Sequence, residues 1–414
     1  MEVGECNRIN IIEVKALTKV FNDKVRAVDN ISFSVKKGEI LGFLGPNGAG
    51  KTTTLNMLST LLRPTSGSAT VNGHDILQNP DAVRRSIGYV FQDPTLDIEL
   101  TGRENLDFHG RLYKLKRDVR QQRNKEMLEI VQLTDRADDL VKTYSGGMKR
   151  RLEIARGLLH HPQVLFLDEP TLGLDPQTRR SIWEHIQRLN QDKQVTIILT
   201  THYTEEADYL AERILIIDFG KIVALDTPDQ LKAQLEGDIV SLTFKDPKEV
   251  PKIRPLLEKK DWVRRVNVVA SGNSQGTLSR MMHMMRGMSD GVGMGGMMTG
   301  MNSGSMGGGR KMPKHVQQMM TQGMTNESGQ HDLNQGSKGL NLLVDDGGHR
   351  IPEIVKLAEK TGAVLESVEL HKPTLDDVFL SVTGRDIRDE RGSFMEMVRR
   401  HRIMRHARGR QVRG

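Results

Sequence analysis

"GFLGPNGAGKTTTL", Gly42 to Leu55, decides how this 414-residue chain folds. An apolar run leads into a loop, Gly45-Pro46-Asn47-Gly48-Ala49-Gly50, and the loop opens into Lys51, Thr52, Thr53 and a helix-forming stretch. This is G-x-x-x-x-G-K-T between a buried strand and a helix, the context in which the pattern cradles phosphate. The glycines let backbone N–H groups curl around phosphate oxygens, and the helix N-terminus adds partial positive charge. Lys51 would reach the terminal phosphates, and Thr52 would offer its hydroxyl to Mg²⁺.

Such a loop needs a sheet behind it. From about Ile9 to Leu235, short apolar runs alternate with amphipathic helical stretches, the rhythm of an α/β domain. The runs "GEILGFLG", "SIGYVFQ", "VLFLDEP" and "VTIILTTH" are continuously apolar, so a mainly parallel central sheet covered on both faces is expected. "VLFLDEP" ends in Asp168 and Glu169. Asp168 suits a Mg²⁺ partner acting through a coordinated water, and Glu169 a carboxylate that orients the attacking water, because phosphoryl transfer depends on positioning and charge neutralisation. Gln92 and His202 also follow apolar strands, where a lone polar residue is most often a turn former. At the carboxyl ends of neighbouring strands both would reach the ligand crevice, Gln92 to sense metal and water and His202 to hydrogen-bond the γ-phosphate.

Five separated motifs now stand in order: the phosphate loop, Gln92 after a strand, "SGGM" at Ser145 to Met148, "LFLDEPTLGLD" and "TTH". Together they resemble the ATPase subunit of an ABC transporter, densely from Ile11 to Leu235. "SGGMKRRLEIARGLL", "EEADYLAERILIIDFGKIVALDTPDQL" and "LHKPTLDDVFLSVTG" are most similar to the daunorubicin-resistance type of multidrug exporter. The signature begins with Tyr144 and ends with Met148 where many ABC proteins have Leu and Gln, but Ser145, Gly146 and Gly147 are intact.

The resemblance implies ATP and Mg²⁺ as cofactors, with Thr52, Gln92 and Asp168 around the metal. It implies a head-to-tail homodimer in which Ser145, Gly146 and Gly147 of one subunit touch the nucleotide held by the other. Asp175 would lie on the loop crossing that interface, and Phe21 would stack on adenine. The helical, charged stretch from Asp93 to Thr143 would receive a cytoplasmic helix of a separate membrane permease. Peripheral association with the cytoplasmic face of the cell membrane and export of a drug-like or other hydrophobic substrate follow as expectations. An importer would carry the same motifs. A soluble ABC ATPase switching ribosomes or nucleic acid would bring tandem cassettes or a coiled-coil arm, and neither is visible.

Composition agrees with a reducing, two-domain setting. One cysteine, Cys6, cannot form an internal disulfide, and the N-terminus has no charged-then-apolar-then-small cleavage pattern. No apolar stretch approaches the roughly 18 to 20 residues that span a bilayer. The formal charge of +7 is concentrated in a tail, 385–414, where Arg388 to Gly414 holds nine arginines against three acids. That tail lacks interleaved aromatic residues for stacking on bases, so no nucleic acid is expected; a solvated end and contact with anionic lipid stay open.

After residue 237 the pattern restarts. Strand "DIVSLTF", helix "EVPKIRPLLEKK" and strand "VRRVNVVAS" precede an interruption, then strand "LNLLVDD", helix "RIPEIVKLAEKTG" and strand "AVLESVELH" follow. This βαββαβ order fits a small ferredoxin-like α+β domain over 238–271 and 340–384, closed by "TLDDVFLSVTG", and either regulatory or dimer-stabilising. The ATPase domain would then occupy 1–237, with a helical subdomain at about 93–150. The interruption, 272–339, holds fourteen methionines between Arg280 and Thr325 and so few branched or aromatic residues that a long disordered loop is expected. Soft-metal binding through thioethers and a sticky partner surface are the alternatives to a passive loop.

Overall fold

The computed structural model describes residues 9–22, 24–269, 339–384 and 387. The methionine-rich interruption, apart from Gly339, and the basic tail, apart from Gly384 before it and Ile387, lie outside the described residues. The chain forms two compact units, one made of 1–235 with 373–414 and the other of 236–372.

The first unit carries two sheets. Strands β1 (Asn10–Phe21), β2 (Val25–Lys36), β4 (Ser66–Val71) and β5 (His74–Asp75) form an antiparallel sheet in the order β2-β1-β4-β5. The second sheet uses β3 (Ile40–Leu44), β6 (Ile87–Val90), β7 (Val164–Asp168), β8 (Thr196–Thr201), β9 (Arg213–Asp218) and β10 (Lys221–Asp226), in the order β10-β9-β3-β8-β7-β6. Its pairings are parallel except for the antiparallel edge strand β10. Every residue of β3, β7 and β8 is buried, which is why their sequences read as unbroken apolar runs.

Alternation along these central strands divides the core. Phe43, Phe166 and Ile198 face the antiparallel sheet and pack with Ile12, Val14, Val35 and Val71, with Phe33 meeting Phe43 edge-on at 5.4 Å. Leu165, Leu167, Ile197 and Leu199 face the other way, toward α4 (Arg117–Ile130), α5 (Gly146–Leu158) and α6 (Pro176–Lys193). Burying one such Phe or Leu completely contributes about 1.5–3 kcal/mol, so this two-sided core holds the strand ends in place. The remaining helices of this unit are α1 (Lys51–Leu58), α2 (Pro80–Ser86), α3 (Gly102–Leu112), α7 (Thr204–Leu210), α8 (Pro228–Ala233) and, from the end of the chain, α11 (Leu375–Thr383). Thr101 and Glu104 form a reciprocal capping box that starts α3.

The second unit runs β11 (Asp238–Phe244), α9 (Val250–Leu257), β12 (Val263–Val269), β13 (Gly339–Val344), α10 (Gly347–Thr361) and β14 (Leu365–His371). Its sheet is antiparallel in the order β12-β13-β11-β14. Val240, Leu242 and Phe244 of β11 and Leu340, Leu342 and Val344 of β13 bury one face under Ile253, Leu257 and Ile354 of the two helices.

The structure departs from the sequence-based expectation at α11. Leu375 to Thr383 was expected to close the second domain, yet it groups with the first unit. Leu375, Val378 and Phe379 sit in a cluster with Leu44, Ala207, Ile214, Ile216 and Leu231. The second unit already covers its apolar sheet face with α9 and α10, whereas the β3–β9 flank of the first has apolar side chains that α11 buries. Among the described residues no helix is long and apolar enough to cross a membrane.

Candidate functional site

The phosphate-type loop spans Gly45 to Gly50, between the end of β3 and the start of α1. Close packing, as well as backbone shape, demands its glycines. A Cβ on Gly45 would lie 2.2 Å from the Ile217 carbonyl oxygen, and Gly50, at φ 106°, would place one 2.5 Å from that of Ala27. Thr54 ties the turn down by donating its hydroxyl to the Gly50 carbonyl at 2.9 Å.

Lys51 is 4% exposed and folds back over the loop. Its Nζ donates to the carbonyls of Gly45 at 2.7 Å and Pro46 at 3.1 Å, and lies 3.5 Å from Glu169 Oε1. Burial pushes the ammonium below the usual lysine range, with Glu169 and then Asp168 opposing that push. Glu169 is held from the other side by His202, whose Nδ1 lies 3.1 Å from Oε2 without the alignment of a hydrogen bond. Burial raises the Glu169 pKa, but His202 and Lys51 together outweigh it and hold the carboxyl below the ordinary glutamate value. Its backbone is left-handed, φ 45°, uncommon for a residue other than glycine and costing about 1–3 kcal/mol where such strain persists.

Asp168 is the neighbouring half of the site. Its Oδ1 accepts from Thr52 Oγ1 at 3.0 Å and from Thr200 Oγ1 at 2.5 Å. Burial raises its pKa, and the two hydroxyls pull the other way. The Glu169 N–H in turn donates to Thr200 Oγ1 at 3.0 Å. Thr200 thus fixes both carboxylate residues from the adjacent strand, a role that the apolar reading of "VTIILTTH" had passed over.

Phe21, Thr52, Thr53, Gln92 and Asp168 line one open cleft of about 610 Å³, together with Tyr89 and Phe91. Phe21 ends β1, is 38% exposed, and has the Lys19 ammonium 5.2 Å from its ring centre. Gln92 is exposed just past β6. A hydroxyl and a carboxylate oxygen adjacent at the loop are hard donors that fit a magnesium ion. A second depression of about 760 Å³, between α3 and α4, is rich in arginine, but there Arg111 and Arg120 pair with Asp107, and Arg103 with Asp138.

The remaining sequence-predicted residues form a separate cluster. Ser145 caps α5 by accepting from the Met148 N–H at 3.3 Å, and Asp175 caps α6 by accepting from that of Thr178 at 3.0 Å. The two helix starts touch: a Cβ on Gly147 would be 2.4 Å from Thr178 Cγ2, and one on Gly146 would be 3.2 Å from Leu174 Cδ2. Ser145, Gly146 and Asp175 are exposed, and none of them lines the cleft with Phe21 and Gln92.

Residues that the sequence reading did not single out bind these parts together. Arg150, Glu153 and Arg156 are buried on α5, and Glu206 is buried on α7. Glu206 accepts from Thr171 Oγ1 at 2.8 Å and Trp183 Nε1 at 2.9 Å, which joins the helix after His202 to the segment between Glu169 and Asp175 and to α6. Charges repeating at every third helical position inside an otherwise apolar face were the available signal for the row on α5.

Comparison with known proteins agrees with this geometry. The family model described as ABC transporter matches residues 28–172. The chain is 46% identical over 235 residues to a daunorubicin/doxorubicin resistance ATP-binding protein of Streptomyces peucetius, covering 57% of this chain and 71% of the relative. A daunorubicin resistance ATP-binding protein of Streptomyces coeruleorubidus is 35% identical over 373 residues, which cover 90% of this chain and 95% of that one. Among solved structures, cbiO1 of Clostridium perfringens, described as part of the ABC transporter complex cbiONQ, matches with a TM-score of 0.52 at 26% identity. That match covers 67% of this chain and 99% of the other. With a complete glycine loop, two carboxylates beside it and relatives matched over most of their length, the chain belongs to the ATP-binding ATPase subunits of ABC transporters, in their daunorubicin-resistance branch.

Proposed function

We propose that two copies of this chain pair head to tail, bind two MgATP at their interface and drive a separate membrane permease that exports a drug-like or other hydrophobic substrate. The observation that carries this reading is the division of the site into two clusters. The inner one gathers buried Lys51, Asp168 and Glu169 with half-buried His202 at the glycine loop, and the exposed one presents Ser145, Gly146 and Asp175 to the outside.

The loop from Gly45 to Gly50 with Lys51 and Thr53 would hold the phosphates, and Phe21 would stack on the adenine. Thr52, Asp168 and Gln92 would hold Mg²⁺, which neutralises charge on the phosphates when bound. Glu169, kept ionised by His202 and Lys51, orients the attacking water, and His202 hydrogen-bonds the γ-phosphate. As nucleotide arrives, Lys51 exchanges the Gly45 and Pro46 carbonyls for phosphate oxygens. Ser145, Gly146 and Gly147 contact the nucleotide of the partner copy, and Asp175 crosses between them. ATP then favours the closed pair by the contacts present only there.

The names of the relatives support export, and the absence of a spanning helix among the described residues suits an attachment to the cytoplasmic face through a permease. The second unit, with its ferredoxin-like strand order, would be an accessory domain. The test is Glu169→Gln, read by gel filtration with MgATP and by phosphate release. Retained nucleotide binding, a stable dimer and hydrolysis slowed about a hundredfold or more are expected. Full activity in that variant would remove Glu169 from the chemistry.

A further inference from the structure

One helix reaches both sides of the chemistry. Arg150, Glu153 and Arg156 follow one another at intervals of three along α5 and are 6%, 2% and 9% exposed. The Arg150 guanidinium donates to three main-chain carbonyls: Pro170 at 2.7 Å, Phe91 at 2.6 Å and Asp168 at 3.0 Å. It also lies 2.9 Å from Glu153 Oε2. The other Glu153 oxygen accepts from the Thr95 N–H at 2.9 Å. Arg156 donates to the Thr95 carbonyl at 2.7 Å and pairs with the Thr95 hydroxyl as well.

The positions of these contacts matter more than their number. Asp168 and Pro170 flank Glu169, so Arg150 grips the chain on both sides of a residue other than glycine whose backbone is held left-handed. Phe91 and Thr95 bracket the turn that carries Gln92, and the same row of side chains grips that turn at both ends. The planar fork of an arginine can serve several carbonyls at once, whereas a lysine offers one point charge on a flexible stem. The helix bearing these contacts begins at Ser145.

We infer that Arg150 is a positioning residue for Glu169, and that the Arg150–Glu153–Arg156 row makes α5 a rigid link from its Ser145 end to the backbone on either side of Gln92 and Glu169. The roles of Ser145, Gln92 and Glu169 come from the reading proposed above, while the link itself rests on the contacts just described. A displacement of the Ser145 end is therefore passed to the carboxylate that orients water. Arrival of the partner's nucleotide at Ser145 and readiness for hydrolysis become one event.

The experiment compares full-length wild type, Arg150→Lys and the double variant Arg150→Gln/Glu153→Gln. The lysine keeps the buried charge opposite Glu153, and the double variant removes the Arg150–Glu153 pair together, so neither leaves half of that pair behind, and Arg156 keeps its bonds to Thr95. Steady-state hydrolysis is measured beside equilibrium titration with a fluorescent ATP analogue and thermal melting. We expect kcat to fall about tenfold in Arg150→Lys and about a hundredfold in the double variant, while affinity for the analogue stays within about threefold. A role confined to stability would lower kcat and affinity together, in step with the melting temperature. Such parallel loss in Arg150→Lys, or a folded double variant with kcat near wild type, overturns the inference. If the double variant does not fold, the split between kcat and affinity in Arg150→Lys decides. Gel filtration of Glu169→Gln with MgATP separates the two readings: a monomer there defeats head-to-tail pairing, and the split in Arg150→Lys still tests the grip on Glu169.

Discussion

The two halves of the site differ in how they treat their own polar groups. Around the glycine loop, Lys51, Asp168 and Glu169 are buried, and their contacts with the Gly45 and Pro46 carbonyls, Thr52, Thr200 and one another all lie within a single chain. At the starts of α5 and α6, Ser145, Gly146 and Asp175 are exposed, and the two side chains do no more than cap their own helices. In the proposed reading the first half would hold and cut the nucleotide, and the exposed groups of the second would meet the partner copy. Rigidity there comes from packing, since Gly147 lets α5 close onto Thr178 with no room for a side chain. Preorganised donors cost no rearrangement when charge develops, and under the proposed head-to-tail pairing the two halves would meet as fixed pieces.

The sharpest way to break this comparison is complementation. Lys51→Ala removes the loop cation, and Ser145→Arg blocks the exposed half; each alone should lower hydrolysis by about a hundredfold or more. Mixed in equal amounts, they should recover about a quarter of wild-type activity, because half of the random pairs are mixed and each carries one intact site of two. No recovery in a mixture proven to contain mixed dimers would mean that both halves serve the same chain.

Gly147→Val comes next. A side chain there collides with Thr178, so the start of α5 must shift, and hydrolysis should fall about 10- to 100-fold. Affinity of the isolated chain for an ATP analogue should not change, and a matching loss of affinity would place Gly147 in the first half instead. Within that first half, Thr200→Val deletes the hydroxyl shared by Asp168 and the Glu169 N–H. The expected cost is about tenfold in kcat and about 1–2 kcal/mol in stability, measured by phosphate release and denaturant titration.

The smallest effect concerns pH and separates the site from its support. His160 stacks on Tyr113 with ring centres 3.9 Å apart, and His109 meets the same Tyr113 at a tilt, 5.2 Å away. Burial, helped for His109 by Arg156, lowers both histidines from 6.5 to about 4. The unfolded chain then binds more protons than the folded one between these values. Their contribution to stability is complete above about pH 6.5 and is lost as pH falls toward 4. Thermal melting of His109→Gln/His160→Gln should show a shallower acid slope than wild type. An unchanged slope would place the acid sensitivity elsewhere.

Much of the site was legible because its signals are local. A glycine loop, a Lys-Thr pair and a strand ending in Asp-Glu carry their geometry within a few residues, so reading the order of motifs was enough to bring them together. Thr200 was legible only as part of an apolar strand, because its value depends on lying beside β7. In "SGGMKRRLEIARGLL" the row on α5 is hidden among other charges, although Arg150 and Glu153 are nearly as buried as the aliphatic residues around them. The antiparallel sheet beside the parallel one was not foreseen either. Its strands alternate less cleanly, and register shifts interrupt the pairing of β1 with β2.

Sequence by itself determined the phosphate chemistry, the α/β order of the first unit and the βαββαβ order of the second, because periodicity and turn residues act over short range. Tertiary structure alone decided the rest. It placed α11 with the first unit, where an apolar flank was open to it, and it turned three charged residues of α5 inward onto five main-chain groups. It also left Ser145 and Asp175 facing outward. These outcomes depend on which surfaces meet across a hundred residues or more, and a buried charge can be told from a solvated one only when its partners are in place.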